Sequence, residues 1–168
     1  VADRLYNPAV ALKLPEGETI VPNSIAFDTT PENAMIYVLT GPNRGGKSVI
    51  TCAVGLCQVM LQLGMFLPAD TCRISPADGI YTHFPTGADD TIDKGRLGEE
   101  CARLGEIFDA VTADSLVLLD ESLSSTGSFE ASYIAAEVLM GLCRVGCRCL
   151  FSTHLHELAA EIDRINAQ

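Results

Sequence analysis

The chain has 168 residues, of which 48% are apolar, with seven cysteines and a formal charge of -11. That length and apolar content predict one domain with a sizeable core and exclude two ordinary ones. The acidity excludes a surface that neutralises a nucleic-acid backbone by itself, and an odd set of cysteines without CxxC pairing reads as buried apolar filling in a reduced, cytoplasmic protein, not a disulfide framework or zinc site.

In chain order, "ETIVPNSIAFD" alternates as a short strand. The turn "PEN" leads into "AMIYVLT", whose unbroken apolar run predicts a central strand buried on both faces. A helix starts at Gly46-Lys47-Ser48 and runs to about Leu63, where Gly64 ends it. The apolar run from Val49 to Leu67 is interrupted by Thr51, Gln58 and Gln62 and headed by Lys47 and Ser48, which predicts a buried core helix and no membrane partner. Between Thr71 and Asp93, "CRI" and "GIYTHF" are candidate short strands and "PTGADDTID" a polar loop. "EECARLGEIFDAVT" follows as a helix, "SLVLLD" as a second buried strand, "FEASYIAAEVLMGLCRVG" as a long helix, "CRCLFST" as a third strand and "HLHELAAEIDRI" as an amphipathic helix. Strands separated by helices predict an α/β chain with a mainly parallel central sheet flanked by helices, plus a small N-terminal β element.

The stretch "GPNRGGKS", residues Gly41, Pro42, Asn43, Arg44, Gly45, Gly46, Lys47 and Ser48, satisfies G-x-x-x-x-G-K-[ST] between a strand and a helix start. In such a loop the glycines let backbone N–H groups turn inward around phosphates, the lysine meets the β- and γ-phosphates, and the serine hydroxyl serves Mg²⁺. The expected fold is therefore that of a P-loop NTPase that holds a nucleotide with Mg²⁺. "SLVLLDES" closes a buried strand on two carboxylates at the sheet edge that faces a ligand. Asp120 there is a candidate for the Mg²⁺ shell with Ser48, and Glu121 for orienting or deprotonating the attacking water. His154, which follows "CRCLFST", falls at the same edge and is a candidate contact to the γ-phosphate. His83 and His156 have no such placement and read as structural.

Together these residues resemble the ATPase domain of the MutS family of DNA mismatch-recognition proteins, a branch of the ABC-type ATPases. "LTGPNRGGKS" is similar to the family's phosphate loop, "GMFLPAD" to its Gly-x-x-Val-Pro-Ala turn, and "ISPADGIYTHFPTGADD" to its segment ending in Ala-Asp-Asp. "SLVLLDES" is similar to its Walker B strand, and "FSTHLHEL" to the stretch with the switch histidine. The resemblance implies ATP hydrolysis in a homodimer or with a paralogous partner through the ATPase face. It also implies DNA binding through domains outside this chain, and the start at Val1 without methionine reads as a fragment of a longer protein.

Several stretches depart from the family pattern. Arg44 stands where a methionine is usual and Val49 where a threonine commonly follows the serine. The family signature Gly-Arg-Ser-Thr, whose serine reaches the facing nucleotide, becomes "DKGRLGEE", which puts Gly95 and Arg96 where Ser-Thr would be. Backbone N–H groups at a helix start and the Arg96 guanidinium are the candidate replacements in trans, the bland alternative being an arginine that caps a surface helix. "LSSTGSFEA" replaces the glycine-rich dimer loop, keeping Thr126 and Glu130. In "LYNPAVAL", similar to the adenine-covering segment, Ala9 takes the aromatic's place, with Tyr6 or Val10 as substitutes. Two other readings stay open: an ATP-dependent dimerisation switch with negligible turnover, and the ATPase of another ABC-type machine.

Overall fold

The computed structural model describes residues 1–30, 33–42, 44–85, 95–123, 127–155, 157–158 and 161–162. The chain opens with β1 (Ala2–Leu5), a single-turn helix α1 (Pro8–Ala11) and β2 (Asn23–Ile25), the only strand within "ETIVPNSIAFD". It continues through β3 (Ile36–Thr40), α2 (Lys47–Gln62), β4 (Thr71–Cys72), β5 (Ile80–His83) and α3 (Arg96–Ala110) to β6 (Leu116–Asp120), α4 (Ser128–Val145) and β7 (Arg148–Thr153). The small antiparallel sheet has the order β2-β1-β4, and the main sheet the order β3-β7-β6-β5 with every pairing parallel. The protein is thus α/β, with a parallel four-stranded sheet flanked by helices. The expected helix at "HLHELAAEIDRI" lies mostly outside the described residues.

Strand β6 shows how the two faces are filled. Successive strand side chains point to opposite faces, so Leu116 and Leu118 pack toward Ala53, Val54 and Cys57 of α2. Val117 and Leu119 pack on the other side with Leu104 and Ile107 of α3 and Ala131, Ala135 and Leu139 of α4. The four apolar residues of β6 are buried, as their continuous run requires, and so is Asp120 at its end.

The position of β3 corrects the sequence reading: it is the edge strand beside β7, not a central one. Its faces are still covered by both cores, Ile36 and Val38 on one side and Tyr37 and Leu39 on the other, which explains the unbroken apolar run. Its outer flank is joined by the segment before it. Phe27 bridges Ala34, Tyr37 Oη donates to Ala26 O at 2.8 Å, and the Phe27 and Tyr37 rings meet edge to face at 5.5 Å. Apolar composition reports face burial, and it does not count hydrogen-bonded neighbours.

α2 begins at Gly46 (φ 85°) without a side-chain cap and ends before Gly64 (φ 68°). α4 ends at Gly146 (φ 81°), with Arg144 in its last turn, where a cation complements the helix dipole. The cysteines correct a second expectation. All are free thiols, but only Cys57, Cys147 and Cys149 are buried, whereas Cys101 and Cys143 are exposed. Among the described residues no helix is long and apolar enough to cross a membrane.

Candidate functional site

Parallel register brings three strand ends to one edge. Thr40 pairs with Thr153 and Asp120 with Ser152, so the residues that follow, Gly41, Glu121 and His154, emerge side by side. This is the carboxyl edge at which open α/β sheets take ligands.

The loop from Gly41 to Ser48 turns tightly into α2. Gly45 N–H donates to Pro42 O at 3.1 Å, and a Cβ at Gly45 would stand 3.0 Å from that oxygen, so only glycine passes there without a shift. Arg44 takes a left-handed φ of 67°, a conformation costing about 1–2 kcal/mol for a residue with a Cβ. The first backward bond of α2 is Ile50 N–H to Gly46 O at 3.1 Å. The amides of Lys47, Ser48 and Val49 thus form the helix end that attracts anions. Asn43 lies outside the described residues.

Lys47 is buried, and its Nζ donates to Gly41 O at 2.8 Å and Pro42 O at 3.1 Å. The same ammonium is 3.2 Å from Glu121 Oε1, while His154 Nδ1 hydrogen-bonds Glu121 Oε2. Glu121 therefore joins two sequence-distant groups, one buried and one exposed. Its own backbone is unusual, with φ of 49° followed by 65° at Leu123; two such non-glycine residues cost about 1–3 kcal/mol each. Glu121 N–H donates to Ser152 O at 2.8 Å, and Leu123 is buried in the core, which holds the turn.

Asp120 is buried and accepts from Ser152 Oγ, which in turn lies 3.1 Å from Thr51 Oγ1 of α2. Ser48 is exposed at the head of α2. The thiol of Cys52, one turn further along the same helix, is pushed up by burial and then by the charge of Asp120. Thr51, three residues after Ser48 and so on the same helix face, meets the Ser152 hydroxyl that Asp120 accepts from, so the face that carries Ser48 turns toward Asp120. A hydroxyl and one carboxylate make the partial shell with which Mg²⁺ is held between protein and substrate phosphates, so these residues fit that ion.

Beside the loop lies a cavity of about 430 Å³ whose walls include Tyr6, Asn7, Val21, Gly41 and Lys47. Asn7 is buried and ties this segment to α2. Its Oδ1 accepts from Ala9 and Val10 N–H, and its Nδ2 donates to Val49 O at 3.2 Å. Tyr6 lines the cavity, while Ala9 and Val10 do not line it. Sequence reasoning missed Val21, which no local pattern marks, and Asn7, which the Asn-Pro start of α1 could have revealed as a helix cap.

Gly95 is exposed and forms the start of α3, with no side-chain cap. Arg96 is the first residue of that helix, and its side chain lies outside the described residues, as does Thr126. The expectation that His83 is structural fits its surroundings. His83 is buried at the end of β5, with Nδ1 2.7 Å from Ser122 Oγ. Its pKa is lowered by burial and by the positive charge of Arg103.

Residues 37–167 match the family model "MutS domain V". The chain is 37% identical over 164 residues to the DNA mismatch repair protein MutS of Salinibacter ruber, covering 95% of this chain and 18% of that protein. It is 38% identical over 153 residues to the DNA mismatch repair protein Msh6 of Homo sapiens, covering 86% of this chain and 11% of that protein. The probable DNA mismatch repair protein Msh6 of Drosophila melanogaster is 42% identical over 142 residues, or 83% of this chain and 12% of that protein. The chain thus spans less than a fifth of the length of each of these relatives. The family model covers most of the sequence, so the chain belongs to the MutS family, through that family's domain V.

Proposed function

We propose that this chain is a Mg²⁺-dependent ATPase domain with a P-loop NTPase fold. It would work in a dimer with a like or paralogous partner and be coupled to DNA handled by other domains of a mismatch repair protein. The observation that carries this reading is the convergence of Lys47 and His154 on Glu121, directly beside the glycine loop. Lys47 and the first amides of α2 hold the phosphates, and the cavity that Tyr6 lines receives the base. Ser48 and Asp120 would hold Mg²⁺, which supplies positive charge to the phosphates when bound. Glu121 orients the attacking water and accepts its proton, and His154 fixes the carboxylate and contacts the γ-phosphate. Gly95 and Arg96 complete the facing subunit's site.

The test is Glu121→Gln in the full-length protein. Turnover should fall by about 100-fold or more, within the 10²–10⁴ that general-base catalysis supplies, while ATP binding persists. Unchanged turnover would sink the reading. A second reading, a nucleotide-dependent dimerisation switch, draws on the absence of a hydroxyl at Gly95 and Arg96; it predicts negligible turnover in the unmodified protein and ATP-dependent dimers.

A further inference from the structure

Strand β5 ends on an imidazole that the ATPase reading leaves without a task. His83 is 3% exposed, its Nδ1 is 2.7 Å from Ser122 Oγ, and its buried Nε2 has no hydrogen-bond partner among the described residues. Ser122 is 2% exposed and follows Glu121 directly. It is the middle residue of the turn in which Glu121 and Leu123 both hold left-handed backbone angles.

We propose that His83 is a positioning residue for Glu121: by holding the Ser122 hydroxyl it locks the turn that aims the Glu121 carboxylate. The inference rests on the reading of Glu121 as the carboxylate that orients the attacking water. The physical reason is that a buried hydroxyl must find a partner. At Ser122 the contacts are the His83 ring and, at 3.4 Å, the His83 carbonyl oxygen. A neutral imidazole serves there as acceptor or donor according to its tautomer. Without the ring, the hydroxyl is left with the long carbonyl contact, and rotation of the turn toward solvent improves it. That rotation carries Glu121 with it, because two left-handed residues persist only where their surroundings over-determine them. The Glu121 N–H to Ser152 O bond fixes one side of the turn and the burial of Leu123 the other, leaving Ser122 as the side-chain link between them. Lys47, though paired with Glu121, is also held by Gly41 O and Pro42 O, and Asn7 anchors Val49, so the phosphate loop keeps its place when the turn shifts. Loss of the link therefore acts on hydrolysis and not on nucleotide affinity.

The experiment measures single-turnover ATP hydrolysis, the Kd of a fluorescent ATP analogue and the thermal midpoint in the full-length protein. The variants are Glu121→Gln, His83→Leu, His83→Asn, Ser122→Ala and the double variant of His83→Leu with Ser122→Ala. His83→Leu and Ser122→Ala should each slow hydrolysis about tenfold with Kd within about twofold, the signature of a lost transition-state interaction. The double variant should be no slower than the slower single one, because both remove the same bond. His83→Asn, whose amide reaches Ser122 as Nδ1 does, should recover most of the rate. A wild-type rate in Ser122→Ala overturns the inference, even if His83→Leu fails to fold. So does a parallel loss of rate and affinity that His83→Asn does not repair. If Glu121→Gln is inactive while Ser122→Ala is not, this inference alone fails; wild-type turnover in Glu121→Gln overturns the role of Glu121 in hydrolysis and this inference with it.

Discussion

The ammonium of Lys47 stands 3.2 Å from one carboxylate oxygen of Glu121, whose other oxygen is hydrogen-bonded to His154. A loop before α2, a turn after β6 and the residue after β7 are thereby tied to one side chain. Lys47 is 7% exposed and Glu121 20%, so the pair is shielded enough from water to matter.

Lys47→Ala should remove the charge that meets the phosphates while leaving the carboxylate held by His154. The expected loss of ATP affinity is at least about 100-fold, the worth of two charge-assisted hydrogen bonds at about 1.5–3 kcal/mol each. Equilibrium titration with a fluorescent ATP analogue checks this, and a change below about threefold would contradict it.

Ser152→Ala should strip Asp120 of its hydroxyl partner and leave a buried carboxylate less well satisfied. Stability should fall by about 1–3 kcal/mol, the cost of a buried group left unpaired, and the Mg²⁺ concentration that supports half-maximal hydrolysis should rise. Urea denaturation and a Mg²⁺ titration of turnover read the two effects separately. A normal Mg²⁺ requirement would dissociate Asp120 from the metal.

Two helical glycines should respond in opposite directions to alanine. At Gly105 of α3 an added Cβ meets open space, so Gly105→Ala should stabilise by about 0.5–1 kcal/mol through helix propensity. At Gly55 of α2 the Cβ would stand 2.6 Å from Leu118 Cδ1, a side chain buried in β6. Overpacking costs about 1–3 kcal/mol and outweighs the propensity gain, so Gly55→Ala should destabilise. Denaturant midpoints of the two variants decide it.

Folding stability should decline as pH drops below 6.5, the ordinary histidine value, because the folded-state pKa of His83 is lowered. The sign follows from linkage. Below 6.5 the unfolded chain takes up a proton that the buried ring refuses, so protonation favours unfolding until the lowered pKa is reached. Above 6.5 the ring is neutral in both states and its contribution is fully present. His83→Asn removes the titration, and its stability should vary less between pH 7.5 and 5.5 (about one unit either side) than that of the natural chain.

Thiol labelling should separate the cysteines by exposure. Cys101 should react first with a disulfide reagent under native conditions, Cys143 more slowly because burial raises its thiol pKa despite its exposure, and Cys149 only on unfolding, since burial places its pKa well above the ordinary thiol value. Cys57 should also resist, its thiol pushed up to about 12 by burial and by Cys72. Mass mapping of labelled peptides reads the order.

The elements legible in the sequence are those written in local patterns. Leu116–Asp120 is an unbroken apolar run closed by carboxylates, so both its strand character and its burial follow from composition. The helix from Lys47 ends where Gly64 supplies a left-handed residue, as expected. Strand β1 and helix α1 were illegible, because "ADRL" has no clean alternation and a four-residue helix has no periodicity to read. The edge placement of β3 escaped for another reason: apolar faces on both sides look the same whether a strand has one hydrogen-bonded neighbour or two.

By itself the sequence determined a parallel α/β architecture, the glycine-rich loop before α2 and the carboxylates at the end of "SLVLLD", because glycine spacing, apolar runs and a lysine beside a helix start act over a few residues. Only the tertiary structure decided that Glu121 lies between Lys47 and His154, and that His83 meets Ser122 across 39 positions of chain. Those meetings are set by which strands pair and in what register. Register is fixed by packing two faces of a whole sheet at once, and no single stretch of the chain carries it.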